Sequence, residues 1–556
     1  MALVPDPQNL LVRLPPETWS QYYRSGFWKD LTLYDYAKRH AETGEYKIAV
    51  RDSHCQLTYG ELIALSDTLA ADLAKSGLST GDRVAAWVSG RVEVAVFLLA
   101  CSRNGYVFCP SLHLNHTGEE IRGLLERMRA KAFVAEEGYG ADADQNDVFS
   151  TISAMDHVNR VYRLARPQRR TSSDIIKTFE PLPHAMSSKF GRANSVVYLA
   201  FTSGTTGEPK GVMHSNNTLL ANARSIADDW KFDSRSVIYT MSPPSHNLGF
   251  GALVLTMLVG GEIILHDLPR GASVLERLRA AGVTFLFGVP AHAIALLDEI
   301  DRDGKANLDS LKGFRISGAA VSSSVVEKLI SYGIKPQSGY GMTEACSHHY
   351  TLPTDSAERI VSTSGRACPG YEISIFSPDN PDQPLEVGTV GHIGGRGASL
   401  MLGYFDNQFA TETSFNKGGW LMTGDLGRVD ENGYLQITGR IKDIIIRGGH
   451  NIHPSKIEAL TMRHPSVARA AALAVKDERL GEKVCIVVMP RNGARIDPNE
   501  LLSHLHKEGL SKYDMPEYFL EVDEIPLSAS GKLLKRALEP SLASGELLPQ
   551  PIRWRP

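Results

Sequence analysis

The sequence predicts an α/β protein with a large N-terminal domain of packed sheets and helices and a small α+β domain behind it. Three observations predict this. The chain has 556 residues, too many for one ordinary core. Strand–helix–strand patterns recur from near the start to about residue 440. Beyond that point the texture changes to a strand pair and a helix, in a segment of roughly 115 residues that is compact enough to fold alone. The expected domains are therefore 1–441 and 442–556, with the linker in "GRIKD" (439–443).

In chain order, "LTYGELIALSDTLAADLAKSG" opens with Thr58 and Glu61, the spacing of a capping box, and continues with helical apolar periodicity. "DRVAAWV" (82–88) reads as a strand, "VEVAVFLLACSRNG" as a helix ended by Gly105, and "YVFCPS" as the next strand, together one βαβ unit. "RVYRLARPQRRTSSD" (160–174) places five arginines beside a proline and reads as a solvated loop. "SVVYLA" (195–200) is a strand, and after a glycine-rich loop a helix carries Leu219, Leu220, Ala223, Ile226, Ala227 and Trp230 on one face. In the second domain "RAAALAVKDERLGEKVCIVVMPR" gives two strands around a polar turn, and "PNELLSHLHKEGL" a helix.

Composition narrows the function. With 42% hydrophobic and 22% charged residues and a net charge of −4, the chain has the profile of a globular protein with no global field aimed at nucleic acid or membrane. The longest apolar stretch, "GALVLTMLVGGEIIL" (251–265), is too short and too broken by glycines and Glu262 to span a bilayer. The opening residues lack a basic start followed by an apolar core, so no secretory signal is expected and a cytoplasmic location is. The six cysteines form no CxxC, which predicts buried free thiols rather than a zinc site or disulfide framework.

The loop "FTSGTTGEPKGVMHS" (201–215) carries the chemistry. Glycines let backbone N–H groups approach an anion, the hydroxyls add donors, and Lys210 adds a point charge. It is built to hold phosphate. It is not a Walker A loop, because the pattern is Gly204-x-x-Gly207-x-x-Lys210-Gly211.

The stretch "YLAFTSGTTGEPKGVMHS" resembles the phosphate-loop signature of the acyl-adenylate-forming superfamily: acyl-CoA synthetases, adenylation domains of peptide synthetases and beetle luciferases. Further signatures follow in family order: "PPSHNLGFG" (243–251), "RISGAAVS" (315–322), "SGYGMTEA" (338–345), "WLMTGDLGRVDENGYLQITGRIKDIIIRGGHNIHPSKIE" (420–458) and "PLSASGKLLKRAL" (526–538). The resemblance covers essentially the whole chain. It implies activation of a carboxylic acid by attack on the α-phosphorus of ATP, with release of pyrophosphate, followed by displacement of AMP by a thiol. Charge develops on phosphate and carbonyl oxygens in both steps, so cations and oriented donors dominate the catalysis.

By resemblance, Thr202, Ser203, Gly204, Thr205, Thr206, Gly207 and Lys210 hold the β- and γ-phosphates. Tyr340 stacks on adenine beside the backbone of Gly318, Ala319 and Ala320, with Gly339, Gly341 and Met342 around it. Thr343 donates to the α-phosphate, Glu344 helps hold Mg²⁺, Asp425 accepts from both ribose hydroxyls and Arg440 lies beside that ribose. Lys532 bridges the substrate carboxylate and the α-phosphate. The second domain is implied to be mobile, closing for adenylation and then swinging at Lys442, so that Gly448 and Gly449 line the pantetheine tunnel of coenzyme A.

Four positions depart from the family pattern: Ser528 and Ala529 in "LSASGK", His392 where an acidic residue is common, and His450 where Glu is frequent. They remove no group assigned to chemistry, but leave open an enzyme specialised for one half-reaction. His450 and His453 lack the cysteines or carboxylates of a metal site. The acyl pocket is expected around His246, Asn247, Phe250, Gly251, Val289, Gly318, Gly339 and Met342, with His246 as its gate. No cation for a second carboxylate stands out, nor any acceptor for an amino group. The opening "YYRSGFWKDLTLYDYAKRHAE" resembles both medium-chain or alicyclic carboxylate–CoA ligases and stand-alone aryl-acid AMP ligases. A hydrophobic, medium-sized, cyclic or aryl acid is favoured, with ATP and CoA as co-substrates. The alternatives are loading of a carrier protein's phosphopantetheine arm and a degenerate member kept for binding; an oligomer is left open.

Overall fold

The computed structural model describes residues 4–5, 11–12, 16–179, 191–202, 209–269, 271–448, 450–491, 493–527 and 533–554. The chain divides into two compact units, one of residues 1–372 with 396–415, the other of 373–395 with 416–556.

The first unit contains two large sheets. The seven-stranded one runs in the order Gly403–Tyr404, Lys210–Ser215, Val196–Thr202, Val107–Cys109, Arg83–Trp87, Ala130–Glu136, Arg160–Leu164. Its βαβ unit is as read: Arg83–Trp87, helix Glu93–Asn104 closed by Gly105 at φ 73°, and Val107–Cys109 parallel to the first strand. The capping box also forms, with Thr58 accepting from Glu61 N and Glu61 accepting from Thr58 N. The nine-stranded sheet is parallel from Lys335–Met342 through Gly313–Ser317, Phe285–Gly288, Val237–Thr240 and Glu262–Leu265 to Ile48–Arg51. Such strands are covered on both faces; Phe285–Gly288 is buried throughout and Gly313–Ser317 up to its last residue.

Three expectations change. The glycine-rich loop is followed by a strand, Lys210–Ser215, before the helix Asn216–Trp230; it pairs antiparallel with Val196–Thr202. The βαβ pattern stops near residue 342. Beyond it, Cys346–Tyr350 turns back antiparallel, and Tyr371–Phe376, Gly391–Gly397, Leu421–Val429 and Leu435–Arg440 form a four-stranded sheet without crossover helices. Glycines at 391, 394, 395, 397, 424, 427 and 439 make these strands weak periodic signals. The arginine-rich segment is not simply a solvated loop: Arg160–Leu164 is an edge strand, and Arg170 pairs with Glu93 at 2.8 Å and Asp52 at 2.5 Å, nearly buried.

In the second unit Val467–Asp477 and Gly481–Pro490 pair antiparallel over eleven and ten residues, and helix Pro498–Lys507 packs Leu501, Leu502 and Leu505 onto them. The core is aliphatic, built on Ile445, Ile457, Val484, Ile486 and Val488. All six cysteines are buried and free.

Candidate active site

The strands on either side of the glycine-rich loop set the site in the first unit. Thr202 ends one strand and Lys210 begins the next, in register. Lys210 Nζ lies 4.9 Å from the centre of the Tyr404 ring, and the Tyr404 hydroxyl donates to Glu344 Oε1 at 2.9 Å. Burial and the neighbouring carboxylate push the phenol well up, so it stays a donor. The loop lysine and the candidate metal carboxylate therefore meet on one tyrosine. Ser203, Gly204, Thr205, Thr206 and Gly207 lie outside the described residues, as do Gly449 and Lys532.

Thr343–Ala345 is a single 3₁₀ turn between Lys335–Met342 and Cys346–Tyr350. His214, completely buried, donates from Nε2 to the Thr343 carbonyl at 2.7 Å, and its Nδ1 meets Thr218 Oγ1 at 3.0 Å. Burial lowers this imidazole to about 4, so it is neutral and fixed in one tautomer at pH 7. The tight return needs Gly341, because a Cβ there would lie 2.2 Å from the Cys346 carbonyl oxygen. Met401 N donates to Glu344 O at 2.7 Å. His214 and Tyr404 thus hold the Thr343–Glu344 turn. Sequence reading missed both: His214 sits inside the loop signature, and Tyr404 is 60 positions from its carboxylate.

Tyr340 is half-buried, its ring 5.0 Å from His348 in a T-shaped contact. Gly318, Ala319 and Ala320 form an exposed ledge at the end of the neighbouring strand, where Ser317 is the register partner of Gly339. This brings together the residues assigned to adenine.

Of the residues expected at the acyl group, Asn247 and Gly251 line a cleft with Leu219, Ala223, Ile226, Leu248, Val254 and Phe287. A Cβ on Gly251 would meet nothing within 4 Å, so the cleft has room there. Phe250 is fully buried and stacks on Tyr198 at 4.0 Å rather than lining the cleft. His246 occupies the N-cap position of the helix Asn247–Val259 without a side-chain capping bond and stacks on His113 at 4.1 Å; burial lowers His113 to about 3. Val289 is buried, while Met342 is half-buried. A Cβ on Gly339 would lie 2.8 Å from Ser317 Oγ and 2.9 Å from Arg315 Nη2. The sequence reading names no cation for a second carboxylate; Arg315 is fully buried in the middle of Gly313–Ser317.

In the second unit Asp425 and Arg440 are register partners on adjacent antiparallel strands, with Arg440 Nε donating to Asp425 Oδ1 at 2.7 Å. Asp425 is buried, and Gly424 N donates to His392 Nε2 at 2.9 Å. His392, lowered by burial, therefore supports the strand backbone next to Asp425 as a neutral acceptor. Lys442 is exposed in the 3₁₀ turn Ile441–Asp443. Gly448, at φ 58°, makes the turn between Ile445–Arg447 and His450–Ile452. His450 Nε2 meets Asp514 at 2.9 Å. Among the described residues no group of three or more His, Cys, Asp or Glu is arranged to hold a metal, and no helix is long and apolar enough to cross a membrane.

A lysine and a glutamate meet on one tyrosine, beside the two strands that flank the glycine-rich segment. Residues 37–405 match the AMP-binding enzyme family and residues 456–532 the AMP-binding enzyme C-terminal domain; the chain belongs to that family. It is 30% identical to the medium-chain fatty-acid–CoA ligase of Escherichia coli (strain K12), over 92% of this chain and 91% of that protein. It is 28% identical to the vibriobactin-specific 2,3-dihydroxybenzoate-AMP ligase of Vibrio cholerae serotype O1, over 94% and 96% respectively. The crystal structure of ATP-bound MatB from Rhodopseudomonas palustris superimposes with a TM-score of 0.80 at 27% identity, covering 92% of this chain and 99% of that one.

Proposed function

We propose that this enzyme is an ATP-dependent carboxylic acid–CoA ligase. The acid's carboxylate attacks the α-phosphorus of ATP, pyrophosphate leaves, and the thiol of CoA then displaces AMP from the acyl-adenylate. The observation that carries the reading is the convergence of Lys210 and Glu344 on Tyr404, next to a turn fixed by His214. A cation and a carboxylate held that way suit a polyphosphate: Lys210 would neutralise its charge, and Thr343 would donate to the α-phosphate. The similarity to a CoA ligase over nearly the whole of both chains supports the same chemistry.

Glu344 fits as the one protein carboxylate of a Mg²⁺ site completed by phosphate oxygens, a donor set that suits this hard cation. When bound, the ion would offset charge on the polyphosphate. Thr202, Ser203, Gly204, Thr205, Thr206 and Gly207 would surround the terminal phosphates, Tyr340 and the 318–320 ledge would take adenine, and Asp425 and Arg440 the ribose. Lys532 would serve adenylation and Gly448 and Gly449 the pantetheine, with Lys442 as the hinge of a second domain over 442–556. The favoured acid is hydrophobic and medium-sized, cyclic or aryl, held in the cleft of Asn247 and Gly251. Similarity to an AMP ligase keeps a second acceptor in view, a carrier protein's phosphopantetheine.

A panel of such acids, scored for pyrophosphate release and for thioester with free CoA, tests the reading. Pyrophosphate and acyl-CoA together support it. Pyrophosphate without acyl-CoA favours the carrier-protein acceptor, and no release with any acid defeats acid activation.

A further inference from the structure

Arg315 is completely buried at the centre of the nine-stranded sheet, and no carboxylate pairs with it among the described residues. Its register partners are Phe287 on one side and Gln337 on the other, so the three side chains share a sheet face. Phe287 lines the cleft. Gln337 is fully buried, and its Oε1 accepts from Arg315 Nη1 at 2.6 Å. Four polar atoms on this face have no hydrogen-bond partner among the described residues: Arg315 Nε, Arg315 Nη2, Gln337 Nε2 and Ser317 Oγ. The groups facing the guanidinium are the Tyr350 ring at 5.4 Å, whose hydroxyl donates to Asp229 at 2.8 Å, then Cys368 and His348. Burial lowers Arg315 only to about 10, so it is a cation at neutral pH.

A buried cation without a counter-charge is costly, and buried donors without acceptors add to the cost. Nε and Nη2 lie on one edge of the guanidinium, with parallel N–H bonds spaced for the two oxygens of a carboxylate. Nη1, on the other edge, is taken by Gln337. Gly339 lets that edge come close: Nη2 lies where a Cβ would come within 2.9 Å of it. Gln337 and Gly339 are two apart on one strand, so the edge sits beside the residues expected around the acyl group.

We propose that Arg315, with Gln337 and Ser317, forms a subsite for a second carboxylate, so that the acid activated here is a compact dicarboxylic acid with a hydrophobic spacer. This rests on the acid-activating reading above and narrows its substrate class. One carboxylate is adenylated, and the other is held by the Arg315 edge with Ser317 and Gln337 Nε2 as further donors.

The test compares matched acids: octanoate with suberate, cyclohexanecarboxylate with cyclohexane-1,4-dicarboxylate, benzoate with terephthalate. The readouts are kcat/KM for pyrophosphate release and calorimetric binding of each acid without ATP. The native enzyme should prefer the diacid in at least one pair by about tenfold or more, as sites with dedicated buried donors do. Arg315→Met should lower the diacid-to-monoacid ratio in that pair by roughly a hundredfold. Gln337→Glu keeps the arginine and its neighbour's shape but supplies an internal carboxylate, so it should lower the ratio as well; it serves if Arg315→Met does not fold. A monoacid preference in all three pairs, or an unchanged ratio in folded variants, overturns the proposal. If no acid releases pyrophosphate, the ligase reading fails by itself, and calorimetry then decides the subsite: diacid bound by the native chain but not by Arg315→Met supports it, and equal binding overturns it.

Discussion

The two units bury different things. The first buries polarity: His214, Arg315, Gln337, His348 and His349 are at most 0% exposed, and Glu344 only 9%. The second is dry. Past residue 416 the buried polar residues described are Thr423, Asp425 and Thr461. Thr461 satisfies itself on the carbonyl of Ile457 within its helix, and the other two are joined on the strand Leu421–Val429, where Asp425 N donates to Thr423 Oγ1. Buried polarity costs stability unless it is partnered; in the first unit part of it lies at the candidate site, with His214 and Glu344, and part in ion pairs such as Arg91 with Glu93 and Glu136. The second unit fills its interior mainly with aliphatic side chains.

The largest effect that would sharpen this contrast is on stability in acid. Burial lowers His113 and His349 to about 3, and His214 and His292 to about 4, all in the first unit. Unfolded, each titrates near 6.5, so between those values the unfolded chain binds more protons. The stability these neutral imidazoles contribute is full above the unfolded value and falls as the pH drops below it, by about 2 kcal/mol each at pH 5. Calorimetry from pH 7.5 to 5 should show the first unit's transition shifting down further than the second's. Equal shifts would erase the contrast.

Next in size is the division of labour between half-reactions. Lys532→Ala should cut acyl-adenylate formation at least about a hundredfold, the scale of losing one charge-stabilising group. Conversion of supplied acyl-adenylate to thioester should survive. Gly449→Leu should do the reverse, sparing the first-turnover pyrophosphate burst while blocking thioester formation. A folded variant that loses both steps equally would contradict its assignment.

The smallest effect concerns His392. Removing its acceptor with His392→Ala leaves the Gly424 N–H unpaired beside Asp425, worth about 1 kcal/mol. A rise of roughly fivefold in the KM for ATP is expected at that energy, with kcat nearly unchanged. His392→Gln, which offers another acceptor, should recover part of it. An unaltered KM in His392→Ala would detach this imidazole from the ribose side.

Local chemistry was legible from the sequence where the signal is short-range. The Thr58–Glu61 capping box, the βαβ unit and the strand pair 467–490 depend on neighbours in sequence, and they stand as read. Three things were not legible. In "GFRIS" the alternation of Phe314 and Ile316 assigns Arg315 and Ser317 to a solvent face, but a parallel strand covered on both sides has none. The pairing of Glu344 with Tyr404 is a tertiary event. The strand Lys210–Ser215 was hidden because glycine-loop motifs usually hand the chain to a helix, whereas here an antiparallel return comes first.

The buried cysteines have a practical consequence. Cys55, Cys368 and Cys485 are each pushed up to about 12 by burial, and Cys101, Cys109 and Cys346 higher still. A thiol that cannot ionise does not react with maleimides or iodoacetamides. The native chain is thus a blank surface for labelling. A cysteine at exposed Ala295, in the helix Pro290–Asp303, and another at exposed Ser503, in the helix Pro498–Lys507, would take two dyes without any native thiol being replaced. Energy transfer between them, followed as ATP, acid and CoA are added in turn, would test the proposed swing of the second domain: steps in transfer with each addition support it, and an unchanged signal counts against it.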